Sequence, residues 1–213
     1  MLKKNKFAIL LSCLVTLLPM LVGLLLWDRL PDPVPMHWNF AGEVDGWGSK
    51  GQLVFFLPAF LLAMHLLCVF APHLDPKFAD SSEKSHLLVI WICPFITLMI
   101  CTLVYAAALG VALSMEVLLP LILGAIFLVV GNFLPKCKQN YSVGIKLPWT
   151  LHDEANWNAT HRFGGWVWVA GGALIMATSV LGSLALMLGL CLVMALAPTV
   201  YSYLYYRKHK KPE

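Results

Sequence analysis

Charge is what this sequence has least of. Asp, Glu, Lys and Arg together make up 12% of its 213 residues, about half the roughly 25% that water-soluble domains carry. With 60% hydrophobic residues and a mean hydropathy of +0.78, the chain has too little polar surface to face water. An ordinary soluble globule is therefore excluded, and lipid becomes the expected solvent. The six cysteines contain no C-x-x-C pair, and none lies in the 28–51 segment. That leaves no disulfide framework and no thiolate metal or redox site in view. Cys13, Cys68, Cys93, Cys101 and Cys191 fall in apolar runs and Cys137 in a connection, where they read as small packing residues. No internal repeat of the inverted-transporter kind is visible.

Long apolar runs are abundant. A bilayer core about 30 Å thick takes roughly 20 helical residues to cross. Runs of that length occupy 7–27, 52–71, 87–109, 116–134, 164–181 and 184–206. The last two are separated only by Leu181-Gly182-Ser183; fusing them gives the alternative count of five. The expected fold is all-α, a polytopic membrane helix bundle with six transmembrane helices. It divides into an N-terminal helical hairpin (1–71), middle spans (72–115) and a C-terminal region (116–213). The first run follows Lys3, Lys4 and Lys6 but is too long for a signal-peptide core and ends at Trp27-Asp28 without a small-residue cleavage site, so it reads as a retained anchor.

Orientation follows from the basic residues, which concentrate on the cytoplasmic side of membrane proteins. With the N-terminus inside, Lys3, Lys4, Lys6, Lys77, Lys84, Lys136, Lys138, Lys146, Arg162, Arg207, Lys208, Lys210 and Lys211 fall inside, against Arg29 and Lys50 outside, out of 15 in all. Both termini are then cytoplasmic. This placement also accounts for the net charge of +4, so no direct nucleic-acid partner is implied. Trp27, Trp47, Trp166 and Tyr201, Tyr203, Tyr205, Tyr206 fall near span ends, where amphipathic rings suit the headgroup level.

The spans themselves are nearly free of ionisable groups, which marks most of the interior as structural. His65 is the clearest exception, expected as a neutral histidine bonded to a neighbouring helix; Glu116 sits at a span edge, and Asn132 suits helix-to-helix glue. Gly171, Gly172, Ala173 and Ala177 suit close helix packing.

Polar residues gather in two connections. In the outer loop, 28–51, Pro31, Pro33 and Pro35 predict a stiff lead-in. Ala41-Gly42 and Asp45-Gly46 are turn signals, which together suggest a compact hairpin. Trp38, Phe40 and Trp47, with His37, Asn39, Glu43 and Asp45, either receive an amphipathic peptide or cap the bundle with rings in the headgroups. His37, Glu43 and Asp45 are too scattered to argue for a metal. In the inner loop, 135–163, Asn140, Ser142 and Gly144 carry turn chemistry. Thr150 is the expected N-cap, with Asp153 in a box-like position, of a short helix over 151–162 stopped by Gly164. Asp153, Trp157 and His161 then share a face. That face reads first as a surface helix with Trp157 in the membrane boundary, and alternatively as a docking or acid/base site. His152 and His161 do not have zinc-pair spacing. The glycosylation patterns at Asn140 and Asn158 are chance matches in a cytoplasmic loop.

The inner run Gly131-Asn132-Phe133-Leu134-Pro135-Lys136, Asn140, Val143-Gly144-Ile145-Lys146-Leu147-Pro148-Trp149-Thr150-Leu151, Trp157 and Thr160-His161-Arg162 resembles the SdpI family of bacterial membrane proteins. Upstream, Val34-Pro35-Met36-His37-Trp38-Asn39, Gly42, Asp45-Gly46-Trp47 and Ser49-Lys50 look like the domain of unknown function often found before it. Lys146 departs from the arginine more usual there, and a guanidinium's planar fork is not interchangeable with an amine. The family's best-known member confers immunity to a secreted membrane-damaging peptide and, as a receptor, holds a transcriptional repressor at the membrane. The resemblance thus implies a non-enzymatic immunity or signal-receptor protein without cofactor. His37, Trp38, Asn39, Asp45 and Trp47 would bind a secreted peptide outside. Asn140, Gly144, Lys146, Pro148, Trp149, Thr150, Trp157, His161 and Arg162 would form the inner partner-binding motif. The alternative class is a small-molecule transporter or membrane enzyme using the inner loop, His65 and Asn132.

Overall fold

A computed structural model describes residues 4–39, 41–79 and 81–209. Phe40, and the basic residues Lys3, Lys210 and Lys211, lie outside the described residues. Among those described, six helices are long and apolar enough to cross a membrane: Lys6–Leu25, Gln52–Leu74, Glu83–Ala108, Met115–Lys136, Glu154–Leu181 and Leu184–His209. The six-span count is therefore correct, and the protein is an all-α polytopic membrane protein. The break between the last two helices falls where glycine allows it: Gly182 takes φ +59°, a left-handed conformation that ends a helix without a Cβ penalty. Three crossings separate 28–51 from 135–163, so traversal by all six helices brings these segments out on opposite sides.

The chain forms two compact units. The first comprises residues 1–74 and 86–115, the second 75–85 and 116–213, so the middle stretch is shared between them. In the first unit, helix α1 (Lys6–Leu25) turns small and polar residues inward. Ser12, Thr16, Pro19 and Gly23 are its buried positions, while Phe7, Leu10, Leu14, Leu21 and Leu25 are exposed. An apolar outer face with a more polar inner one is the pattern expected where the surrounding medium is hydrocarbon. His65, on α2 (Leu57–Phe70), bonds through Nε2 to the Ser12 hydroxyl at 2.8 Å, as expected of a histidine joining two helices. Strands β1 (Val34–Trp38) and β2 (Val44–Gly48) form an antiparallel hairpin between α1 and α2. Fully buried Val34 seats it on Leu30, Leu53, Val54, Val104, Tyr105 and Ala108.

The second unit contains a short helix α3 (Pro76–Ala79), then α5 (Met115–Phe133), α6 (Pro148–His152), α7 (Glu154–Thr178) and α8 (Leu184–His209); α4 (Glu83–Ala108) belongs mainly to the first. Helices α5 and α7 meet backbone to backbone at two levels. A Cβ on Gly172 would lie 2.7 Å from the Gly124 carbonyl oxygen, and a Cβ on Gly165 would lie 2.8 Å from that of Gly131. Gly124 and Gly131 are seven residues apart on α5, and so are Gly165 and Gly172 on α7. An antiparallel pair therefore brings the same seam into contact two turns later. In lipid, where apolar burial drives little association, such close approach is what holds helices together. The Trp168 indole N–H then ties α7 to α8 by donating to the Met194 carbonyl at 3.1 Å.

The inner loop departs from expectation at its helix. No separate 151–162 helix ends at Gly164; α7 starts at Glu154 and runs on through the fifth span. Thr150 is not its N-cap. Pro148, at the first helical position, starts α6 earlier, and Asp153 caps α7 by accepting from the Ala155 and Asn156 amides at 2.8 and 3.2 Å. Gly164 is needed inside the helix because a Cβ there would meet Ile145 at 2.7 Å.

Valine at position 172 has no room to relax against a neighbouring carbonyl. Gly172→Val is expected to cost about 2 kcal/mol, within the ~1–3 kcal/mol range of overpacked cores. Gly189→Val, where a Cβ meets nothing within 4 Å, should change stability by less than ~0.5 kcal/mol. Thermal unfolding of both variants in detergent checks this; equal midpoints would refute the glycine seam.

Candidate functional site

At the outer end, the hairpin turn is built by Asn39. Its side-chain oxygen accepts from the Ala41 and Glu43 amides at 2.9 and 3.0 Å, and Gly42 follows at φ +74°. Asp45-Gly46, expected as a second turn, lies within β2, and Gly46 faces His37 across the ladder. A Cβ on Gly46 would sit 2.8 Å from that of His37, so the glycine permits close pairing rather than reversal. His37 Nδ1 and Asp45 Oδ1 form an exposed pair at 2.6 Å. Beside the hairpin lies an apolar cavity of about 460 Å³, walled by Pro33, Pro35, Trp38 and Trp47 on the hairpin side and by Ala108 and Val111 beyond. Of the five outer residues singled out in the sequence, Trp38 and Trp47 line this cavity. Asn39 shapes the turn, and His37 and Asp45 pair with each other on the open face.

At the inner end the polar groups satisfy one another. Buried Asn140 uses both ends of its amide: Oδ1 accepts from the Ser142 and Val143 amides at 2.8 and 2.7 Å, and Nδ2 donates to the Lys138 and Val143 carbonyls at 2.8 and 3.1 Å. Gly144 follows at φ +123°, with a Cβ there directed into His161 and Trp157. His161 Nε2 accepts the Ile145 amide at 2.9 Å, while its Nδ1 lies 2.8 Å from the Trp157 carbonyl and donates to it. One neutral tautomer, protonated on Nδ1, satisfies both bonds. The His161 ring also stacks on Trp157 at 4.0 Å, whose indole donates to the Cys137 carbonyl at 2.8 Å. Trp157 and His161 are therefore buried anchors of the loop, not a surface or membrane-boundary face as the sequence first suggests. Both imidazole nitrogens are occupied by structural bonds, which leaves the ring poorly placed for acid/base work.

Thr150 accepts the Leu147 amide at 2.9 Å and fixes the start of α6. Trp149 donates to the Ser202 hydroxyl at 2.6 Å and stacks on Tyr206. Lys146 donates to the Tyr141 and Ser142 carbonyls at 3.2 and 3.0 Å. That is a task for a compact ammonium that needs no planar fork, so lysine suits this position. Pro148, Lys146 and Arg162 are exposed, and Arg162 stands apart from the network.

The sequence reading missed the group that closes this loop. Asp75, just after the second span, accepts from the Tyr141 amide at 2.7 Å, the Ser142 hydroxyl at 2.9 Å and the Lys77 amide at 3.0 Å. Burial pushes its carboxyl pKa upward, but the bonds from Ser142, Tyr141, Lys77 and Phe78 outweigh burial and hold it below the usual carboxylate value. Asn156, Thr160 and Ser202 were missed too. The Asn156 carbonyl oxygen accepts from the Thr160 and Ser202 hydroxyls, and its amide donates to the Ser202 carbonyl. The available signals were an Asp75-Pro76 step directly after the second span, and polar residues one turn apart on an apolar helix.

Six long apolar helices joined to a self-bonded polar loop define a multi-pass helical membrane protein. Residues 136–202 match the SdpI/YfhL protein family, and residues 14–62 match a domain of unknown function, DUF1648. The resemblance read from the two loops is thereby confirmed in both halves. The chain is also similar to the immunity protein SdpI of Bacillus subtilis (strain 168), at 26% identity across 97% of each chain. Together these make it a multi-pass bacterial cell-membrane protein. No solved structure matches it.

Because the Asp75 carboxyl is more acidic in the folded protein than in the unfolded chain, its contribution is complete above the unfolded carboxylate value of ~3.9. It is lost as pH falls through the lower folded value. Limited proteolysis of the 138–147 segment in detergent should therefore stay slow from pH 7 to about 5 and accelerate below about 4. Asp75→Ala should be cleaved rapidly across the whole range. Equal cleavage of the two proteins at pH 7 would refute the role given to Asp75.

Proposed function

We propose that this protein is a membrane immunity protein that protects its cell against a secreted, membrane-active peptide, and that the outer cavity is where the peptide is met. The observation that carries this reading is the end-to-end similarity to an immunity protein, together with an apolar cavity walled by Trp38 and Trp47. Trp47 is 61% exposed, an unusual placement for a large ring unless lipid or a ligand covers it. A volume of about 460 Å³ holds a short apolar segment, and tryptophans at the centre of such a contact supply most of its binding energy. The His37–Asp45 pair on the rim gives orientation rather than affinity. By engaging the peptide at the outer leaflet, the protein intercepts it before insertion. The charge distribution supports an orientation with this hairpin outside and the inner loop in the cytoplasm.

The same reading assigns the inner loop to a cytoplasmic protein partner, a transcriptional repressor in the receptor variant of the function. What supports it is a fixed scaffold, with Asn140, Thr150, Trp157 and His161 buried beneath exposed Lys146 and Pro148. A rigid, solvent-facing surface loses little conformational entropy on binding.

Expression in a sensitive strain, challenged with the agent to which the Bacillus subtilis protein confers immunity and with other secreted membrane-active peptides, is the test. Survival should rise with the wild-type chain. It should fall about tenfold or more with the Trp38→Ala/Trp47→Ala double variant, the loss of a hot-spot pair worth ~2 kcal/mol. Unchanged survival despite confirmed membrane insertion would sink the proposal.

A further inference from the structure

The second unit contains a basic corner that the loop network does not use. At the close of α5, where a 3₁₀ turn covers Leu134–Lys136, a cavity of about 330 Å³ is lined by Asn132, Lys136, Arg162 and Trp166 over a floor of Gly131 and Gly165. The floor is the last contact of the glycine seam, where the two backbones nearly touch. That approach brings a cation from each helix to one opening. Among the described residues, Arg162, Lys136 and Asn132 make no side-chain hydrogen bond or ion pair. The carboxylates nearest in sequence are otherwise engaged or distant: Asp153 caps α7, and Glu154 precedes Arg162 by eight residues, about 12 Å along the helix.

We infer that this corner binds the phosphodiester of an anionic phospholipid, with Arg162 and Lys136 on the phosphate. An unpaired guanidinium is built for bidentate phosphate contact. The setting identifies the phosphate as a lipid's. Asn158, Arg162 and Trp166 follow one another at i, i+4 and i+8 on α7, so the face passes from amide to cation to ring within two turns. Trp166 is 73% exposed, as a ring at headgroup level is, and the apolar span continues below it through Val169. Arg162 and Trp166 also wall a second cavity of about 480 Å³ on their other flank, lined by Phe163, Tyr201 and Tyr205. Basic pockets between transmembrane helices are sites where anionic headgroups lodge. The positive-inside argument puts this one in the cytoplasmic leaflet, and the inference does not depend on the immunity reading.

The full-length protein, purified in neutral detergent, is titrated with phosphatidylglycerol and separately with phosphatidylcholine, and bound lipid is counted by native mass spectrometry. Phosphatidylglycerol should be retained at least tenfold better. Arg162→Gln and Lys136→Gln should each lose about fivefold of that preference, as expected per basic group at a membrane surface. Arg162→Lys should recover part of it, and Lys84→Gln, on α4, should leave it unchanged. Thermal midpoints equal to wild type confirm that the variants are folded, as removal of exposed unpaired side chains allows. Equal retention of the two lipids, or a preference that survives Arg162→Gln, overturns the proposal. Displacement of phosphatidylglycerol by millimolar inorganic phosphate also overturns it, because the ligand would then be a free anion.

Discussion

Lipid offers no hydrogen bonds, so each polar group this chain buries must find its partner within the chain. The cost of failing, several kcal/mol for a backbone group in hydrocarbon, explains why the few polar residues in the spans come as sets. Ser12 donates to the Ile9 carbonyl and bonds His65; Tyr105 donates to the Pro19 carbonyl at 2.9 Å; Asn156, Thr160 and Ser202 close a three-membered group. Within the described spans His65 Nδ1 is the exception, buried with no partner. With the Ser12 hydroxyl committed as donor to Ile9, the imidazole proton belongs on Nε2 and the lone pair on Nδ1 goes unanswered. An orphaned acceptor on a neutral ring is the less costly way to leave one atom over.

The same solvent also changes what holds helices together. Large apolar side chains gain nothing by leaving lipid, so leucine and phenylalanine crowd the outer faces while glycine, serine and alanine mark the contacts. The seam between α5 and α7 depends on four glycines, and its consequence is local. It carries the ends of two helices close enough for Lys136 and Arg162 to share one opening without sharing a counter-ion. Packing that serves stability in the apolar region thus determines electrostatics at its edge.

How much of this was legible in the sequence follows from which forces are periodic or local. Span number and position were readable because a ~20-residue apolar run has few other destinations, and Gly182 marked the sole break in a double-length run. Turn chemistry at Asn39-Gly42 and Asn140-Gly144 was readable for the same reason, since the bonds close within three or four residues. The start of α7 was not readable. Asp153 and Thr150 both suit an N-cap, and the choice was made by Pro148, which starts its own short helix. Gly164 looked like a stop because a glycine within a polar-to-apolar transition commonly is one, whereas here Ile145 packs against it. The role of Asp75 depends on a loop 66 residues downstream, and no local pattern encodes such a bond. Burial of Trp157 and His161 was hidden likewise, because an i, i+4 pair reads the same whether its face meets solvent or a folded loop.

The two ends of the protein solve opposite problems. The inner loop is closed on itself: Asn140, His161, Thr150 and Asp75 each bond the loop's own backbone, so the segment holds its shape without a ligand and changes it only if several bonds break together. The outer hairpin is fixed at its base by Val34 and at its turn by Asn39, but its aromatic side remains open, with an apolar cavity that nothing in the hairpin fills. A surface of that kind is stabilised by whatever apolar matter covers it. Selectivity there must then come from polar groups on the rim, since tryptophan and proline alone do not distinguish an acyl chain from a leucine side chain. His37 and Asp45 are the hydrogen-bonded polar pair on that rim. Under the proposed function the two features of the hairpin would take different duties, affinity in the rings and discrimination in the pair.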